Sequence, residues 1–206
     1  MVRATLILVL SALLASCGLW PPDAIALHDV ATRSATGTLR IAAVYVADGR
    51  QPFLTEWVVI NPDIPAQRSA AQIPITLSAA QQAALPLRVE KGLSYTPLIL
   101  TATVQTAGKT LVFSDVRDID TSISEQTVAH NDSNRLIRVI GHLQSPNPFA
   151  MLVDRGDPRI ALGFAPPWLA DNAPVRLMDG AALLVEGVHS GDALIPLVIA
   201  PVIDEQ

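Results

Sequence analysis

The chain has 206 residues, half of them apolar, with 14 Lys and Arg against 19 Asp and Glu and a formal net charge of −5. That length suits one domain of sandwich or barrel type, or at most two small ones. The acidic balance argues against nucleic acid or anionic headgroups as main partners, because both require clustered positive charge.

In chain order the first signal is Met1 to Cys17, MVRATLILVLSALLASC. Arg3 supplies a positive start, and Ala4 to Leu14 form an apolar run interrupted only by Thr5 and Ser11. The run is too short to cross a bilayer, which takes about 20 residues, but it suits the apolar region of a secretory signal. Two small residues, Ala15 and Ser16, lead into Cys17, the one cysteine of the chain. An ordinary secretory signal, cut with Ala15 and Cys17 as its small residues, and a buried N-terminal helix are the alternatives. A lone cysteine in an exported protein cannot form an internal disulfide, and as a free thiol it is a redox liability.

The tetrapeptide Leu14-Ala15-Ser16-Cys17 resembles the lipobox of bacterial lipoproteins, with Leu at −3, small residues at −2 and −1, and Cys at +1. The resemblance covers residues 1–17 only. It implies diacylglyceryl transfer to the Cys17 thiol, cleavage before Cys17 and acylation of the new amine with palmitate-like chains. Each buried methylene contributes about 0.8 kcal/mol, so two or three chains hold a protein on a membrane stably. Gly18, where Asp would suggest retention in the inner membrane, resembles the pattern of lipoproteins passed to the periplasmic face of the outer membrane. Cleavage also removes Arg3 and makes the net charge one unit more negative.

From Gly18 to Gly37 there is no sustained periodicity. Pro21-Pro22 followed by Ser, Thr and Ala read as a flexible tether over residues 17–37, with Trp20 at the interface and His28-Asp29 a solvated pair. The β-rich body is expected over residues 38–206. Leu39 to Ala47 and Phe53 to Ile60 flank Asp48-Gly49 as a hairpin, with Phe53, Thr55, Trp57 and Val59 on one face. Prolines at 62 and 65 end it, and Pro74 makes Ile73 to Leu77 an edge strand. Ser78 caps a short helix that Pro86 stops. After a turn at Lys91-Gly92, Tyr95 to Gln105 and Thr110 to Val116 flank Ala107-Gly108 as a second hairpin.

Arg117 to Asn134 is the longest polar interval and reads as a solvated surface loop. Asp115, Asp118, Asp120 and Glu125 raise the possibility of calcium, but the glycine and spacing of an EF-hand loop are missing. Arg135 to Leu143 is a strand with Ile137, Val139, Gly141 and Leu143 on one face and Leu136, Arg138, Ile140 and His142 on the other. Phe149 to Val153 and Arg159 to Phe164 follow. A Pro166-Pro167 loop then carries Trp168, before strands at 175–178, 181–185 and 193–200. Short strands with turn signals about every 8 to 12 residues make an all-β domain, a single antiparallel sandwich or Greek-key barrel with one short helix.

No Gly-x-Ser-x-Gly elbow, Walker loop, dinucleotide fingerprint or His-Glu-x-x-His is present. Gly187 to Asp192 places His189, Ser190 and Asp192 together, but adjacent positions are poor geometry for a relay, and the segment reads as a tight glycine turn. His130, His142 and His189 have no spacing that requires zinc. Arg155-Gly156-Asp157 is a turn. No catalytic residue, metal or cofactor is expected. The leading expectation is a non-enzymatic, lipid-anchored binding or assembly module of the cell envelope. It holds the membrane through Cys17, meets a protein or glycan partner and leaves nucleic acid alone. Loops 117–134 and 166–172, with Trp168 as the candidate binding residue, are the expected recognition surfaces. The rivals are a periplasmic hydrolase or metal-dependent enzyme built from His130, His142, His189 and Ser190, and a small-ligand or lipid carrier with an apolar barrel cavity.

Overall fold

A computed structural model describes residues 23–33, 35–47, 51–63, 65–107, 110–126, 134–144, 151–153, 159–162, 180–190 and 193–202. The chain begins with β1 (Ile25–Ala26), α1 (Leu27–Arg33), β2 (Gly37–Val46), β3 (Phe53–Thr55), β4 (Val58–Val59), β5 (Gln67–Arg68) and β6 (Ile73–Pro74). It continues with α2 (Ala79–Ala84), β7 (Arg88–Glu90), β8 (Leu93–Ala107), β9 (Thr110–Asp120) and β10 (Ile123–Gln126). Last come β11 (Leu136–Gln144), β12 (Met151–Val153), β13 (Arg159–Leu162), β14 (Ala182–Ser190) and β15 (Ala193–Pro201). Strand dominates and both helices are short, as an all-β sandwich-like domain requires.

Seven strands form the first sheet, in the order β6-β3-β2-β8-β7, with β1 also on β2 and β9 also on β8. Its centre is the antiparallel pair β2–β8, registered from Gly37↔Val104 to Val46↔Tyr95. Eight strands form the second sheet, whose spine is β11–β14–β15, all antiparallel. On the edges that β14 leaves free, β12 and β13 link the end of β11 to the start of β15. The two sheets make a sandwich-like mixed architecture and not a closed barrel.

Side chains on a strand alternate between faces, and β2 and β8 are apolar on both. Ala42, Val44 and Val46 of β2, with Leu93, Tyr95 and Ile99 of β8, meet Val58, Leu136, Val188 and Leu197 of the second sheet in the core between the sheets. Ile41, Ala43 and Tyr45, with Leu98, Leu100 and Ala102, face the other way and are covered by Leu27 and Val30 of α1 and by Ile73, Ile75 and Leu77. A third cluster, including Trp57, Ile137, Val139, Val185 and Ile199, lies on the opposite face of the second sheet.

Several expectations hold. Val46↔Phe53 closes the first hairpin, Ala107↔Thr110 the second, and Lys91-Gly92 turns β7 into β8 with both residues at positive φ (50° and 79°). Ser78 caps α2 in a full capping box with Gln81, which satisfies two end N–H groups reciprocally. The segment with Pro74 is an edge strand, and Ile137, Val139 and Leu143 share a buried face while His142 is exposed.

Three expectations are corrected. Residues 23–33 lie within the stretch read as tether, yet β1 pairs in parallel with β2 (Ile25↔Ile41), and Ala24, Leu27 and Val30 are at most 1% exposed. Each of the two larger side chains contributes roughly 1.5–3 kcal/mol by burial, which a solvated linker would forgo. Residues 53–60 do not form one strand: β3 stays in the first sheet, the chain bends at Glu56-Trp57, and β4 joins β15 in the second sheet. Phe53 therefore faces the core between the sheets while Trp57 and Val59 enter the third cluster. Such a switch makes a corner of a sandwich.

The third correction concerns the polar interval after Val116. There β9 runs on to Asp120, bulged twice where two of its residues oppose one of β8, and Asp115 and Asp118 take positive φ (50° and 48°) at those bulges. Aspartate tolerates that conformation better than most residues, and bulges blunt a free edge. The Gln81 amide of α2 donates to the Val116 carbonyl at 2.8 Å and satisfies part of this edge.

Candidate functional site

The least ordinary chemistry of the body is a carboxylate sealed between the sheets. Glu186 sits in the apolar run ALLVEGV of β14 and is fully buried. Directly after it the ladder slips: Glu186 opposes Val198 but Gly187 opposes Pro196, leaving Leu197 as an extra residue on β15. A side chain on Gly187 would place its Cβ 2.2 Å from the Ile195 carbonyl oxygen, so this close crossing demands glycine. Gly187 is thus a bulge residue, not part of the expected tight turn, and β14 continues through Ser190.

Three strands bring the partners of Glu186 together. Arg88 reaches it from β7 of the first sheet, donating Nη1 to Oε2 at 2.6 Å. Arg138, on the same face of β11 as buried Leu136, donates Nη2 and Nε to Oε1 at 2.7 and 3.0 Å. The outer nitrogen of Arg138 also meets exposed Glu125 at 3.2 Å. Arg88 lies 6.0 Å from the centroid of the Tyr95 ring, and the Tyr95 hydroxyl donates to Glu90 at 3.1 Å. Burial lowers the Arg88 pKa, but Glu186 outweighs it and the net shift is upward. Burial, with Glu90 adding to it, pushes the Tyr95 phenol far above its ordinary value.

Chemically this is a clamp. Both oxygens of Glu186 accept from guanidinium donors, which leaves a poor general base, whereas two charge-assisted bonds from different sheets fix their mutual position. An ion pair of this kind adds little over a well-packed apolar substitute, but losing one partner strands a buried charge.

An open cleft of about 270 Å³ lies between α2 and the bulged edge, lined by Gln81, Ala84, Leu85, Asp118, Ile119 and Thr121. It falls near the lower limit of ligand pockets, about 300 Å³, and brings one carboxylate to its rim.

Among the described residues, the histidines singled out in the sequence are not brought together. Cys17, His130, Asp192, Arg155-Gly156-Asp157 and the candidate binding residue Trp168 lie outside the described residues. His142 is exposed opposite Ala182, while His189 is buried one position beyond Leu136↔Val188. The seven-residue offset separates them by roughly 23 Å along the ladder, so β11 and β14 do not build a shared histidine site. Among the described residues no three His, Cys, Asp or Glu side chains are grouped to hold a metal ion. The clamp itself was not read from the sequence, although a lone Glu inside an apolar run and an arginine on the Leu136 face are signals of paired buried charge. No family model, curated protein sequence or solved structure matches the chain.

Two consequences are measurable. Glu186→Gln removes the charge and keeps the shape, and urea unfolding should show a loss of about 3 kcal/mol, the lower end for a broken buried pair because both arginines can turn to solvent. The triple replacement Arg88→Met, Glu186→Leu and Arg138→Met should lose less than half as much; an unchanged Glu186→Gln variant would contradict the clamp. The second concerns alkaline pH. Tyr45 and Tyr95 are the two tyrosines of the chain, and burial raises both phenol pKa values. The folded state therefore keeps protons that the unfolded state releases near pH 10, and this contribution is intact below about pH 10 and lost as pH rises above it. Phenolate absorbance should stay flat past that pH and then rise together with unfolding. A smooth titration centred near 10 in the folded protein would overturn the assignment.

Proposed function

We propose that the chain is a bacterial cell-envelope lipoprotein, anchored through acyl chains on Cys17, whose β-body is a non-enzymatic binding or assembly module. The observation that carries this reading is the order of signals in residues 1–17: a positive start, an apolar run, Leu14, two small residues, and then the one cysteine. The thioether removes the free thiol that an exported protein would otherwise expose. A body whose buried ionic group is engaged from two sheets suits a scaffold that presents loops, and loops on rigid β frameworks commonly carry recognition. The partner is an envelope protein or glycan, the location is the periplasmic face of the outer membrane, and Trp168 in the Pro166–Asn172 segment is the residue assigned to partner contact.

Metabolic labelling with a palmitate analogue, followed by membrane fractionation, tests the anchor. The native chain should be labelled, processed before Cys17 and recovered with membranes, whereas Cys17→Ser should be unlabelled and lose membrane partition. A Cys17→Ser variant that is still processed and lipid-labelled would refute the reading.

A further inference from the structure

We propose that the β8–β9 hairpin end of the body rests against the phospholipid surface; this rests on the Cys17 anchor proposed above. The argument is one of reach. Six Cα-to-Cα steps separate Cys17 from Asp23, and even fully extended they span about 20 Å. At Asp23 the chain is already fastened to the body. The Asn134 side chain accepts from the Ala24 N–H at 3.0 Å and donates to the Asp23 carboxylate at 2.7 Å. Asn134 is itself held by Arg40, which donates to its carbonyl at 3.0 Å, and by its own N–H, which donates to the His189 carbonyl. Two residues on, Ile25 enters the ladder with Ile41.

The register of the first sheet then locates the hairpin. Parallel pairing of Ile25 with Ile41 sets Asp23 level with Leu39, which opposes Ala102. From Ala102, β8 continues to Ala107 before the chain returns at Thr110. That overhang is five residues, about 16 Å, and it projects toward the same end from which the chain leaves Asp23. With the tether straight and the strands along the membrane normal, the hairpin end comes within about 5 Å of the level of Cys17, and in that orientation any shorter path brings it onto the lipid.

Charge is placed compatibly. Gln105–Ala107 and Thr110–Ser114 carry no acid, Val112 is 41% exposed, and Arg40 and Arg135 are the nearby cations. Among the described acids, Asp23, which is bonded to Asn134, and Asp115 lie level with Ala102, about 16 Å back from the hairpin end. Glu90 lies at the other end of β8, opposite Leu93, about 45 Å away along the strand. The described residues nearest the hairpin end thus carry no carboxylate for anionic headgroups to repel.

The test places one fluorophore on Thr110→Cys or on Val89→Cys, both exposed, in the lipidated protein, where Cys17 is already blocked as a thioether. Each is reconstituted into phosphatidylethanolamine–phosphatidylglycerol vesicles bearing an acceptor lipid. Energy transfer should be severalfold stronger from position 110 than from position 89. Inserting a ten-residue Gly-Ser spacer after Pro22 should lower transfer from position 110 severalfold. Equal or reversed transfer in protein that carries the lipid, or indifference to the spacer, would overturn the apposition and leave the anchor standing. Undiminished transfer in the Cys17→Ser background would instead refute the anchor.

Discussion

Six consecutive residues of β2, Ile41 to Val46, are almost wholly withdrawn from water, none more than 3% exposed. A strand apolar on both faces has to be covered on both, and every layer of this protein answers that requirement. The second sheet covers one face. The other is covered by material from both sides of the strand in sequence: α1 from before it and the Ile73–Leu77 segment from after it. Because that cover includes Leu27 and Val30, residues 23–33 are part of the fold and not of a tether.

Polar contacts then fix what apolar packing leaves adjustable. Hydrophobic contact between two sheets is non-directional, so sliding one over the other costs little until a directional bond opposes it. Glu186 supplies that bond, since its two oxygens answer to arginines of different sheets. Asn134 acts similarly at the end of the sandwich, binding residues more than ninety positions away in sequence. Its own φ of 67° is one that asparagine tolerates better than most residues. The two-residue Lys91-Gly92 turn, the Pro74 edge strand and the aspartate bulges of β9 limit the exposed strand edges, a recurrent need of open sheets.

Much of this was legible in the sequence where the cause is local. Asp48-Gly49, Ala107-Gly108 and Lys91-Gly92 mark connections through backbone preference, and Ser78 with Gln81 marks a helix start through reciprocal capping. The alternation of Leu136 to Leu143 gave its faces correctly because period two survives any tertiary context. What was illegible depends on distant partners. Nothing near Leu27 shows that β2 needs a cover, so a Ser-, Thr- and Ala-rich segment reads as linker. The run Phe53 to Ile60 looks continuous because a change of sheet leaves no mark beyond a bend at Glu56-Trp57. Gly187 looks like a turn glycine because the Ile195 carbonyl that excludes a side chain lies across the ladder. Arg88, Arg138 and Glu186 are drawn from positions 48 and 98 apart, and no spacing rule joins them. The rival histidine-based readings drew on His142 and His189, which the β11–β14 ladder holds at opposite ends.

Under the proposed Cys17 anchor, a body already fastened at Asp23 would have little freedom to leave the membrane, and its stand-off would be set by packing more than by linker length. That account depends on residues 23–30 being folded in solution, without lipid or partner. Native-state hydrogen exchange on the Cys17→Ser protein measures this directly. The amides of Ile25, Ala26 and Val30 should open with free energies close to those of the β2 core amides Ala42 to Val44, because their exposure requires uncovering that strand. Exchange of these three amides at unprotected rates, with β2 still protected, would show a free tether and contradict the account.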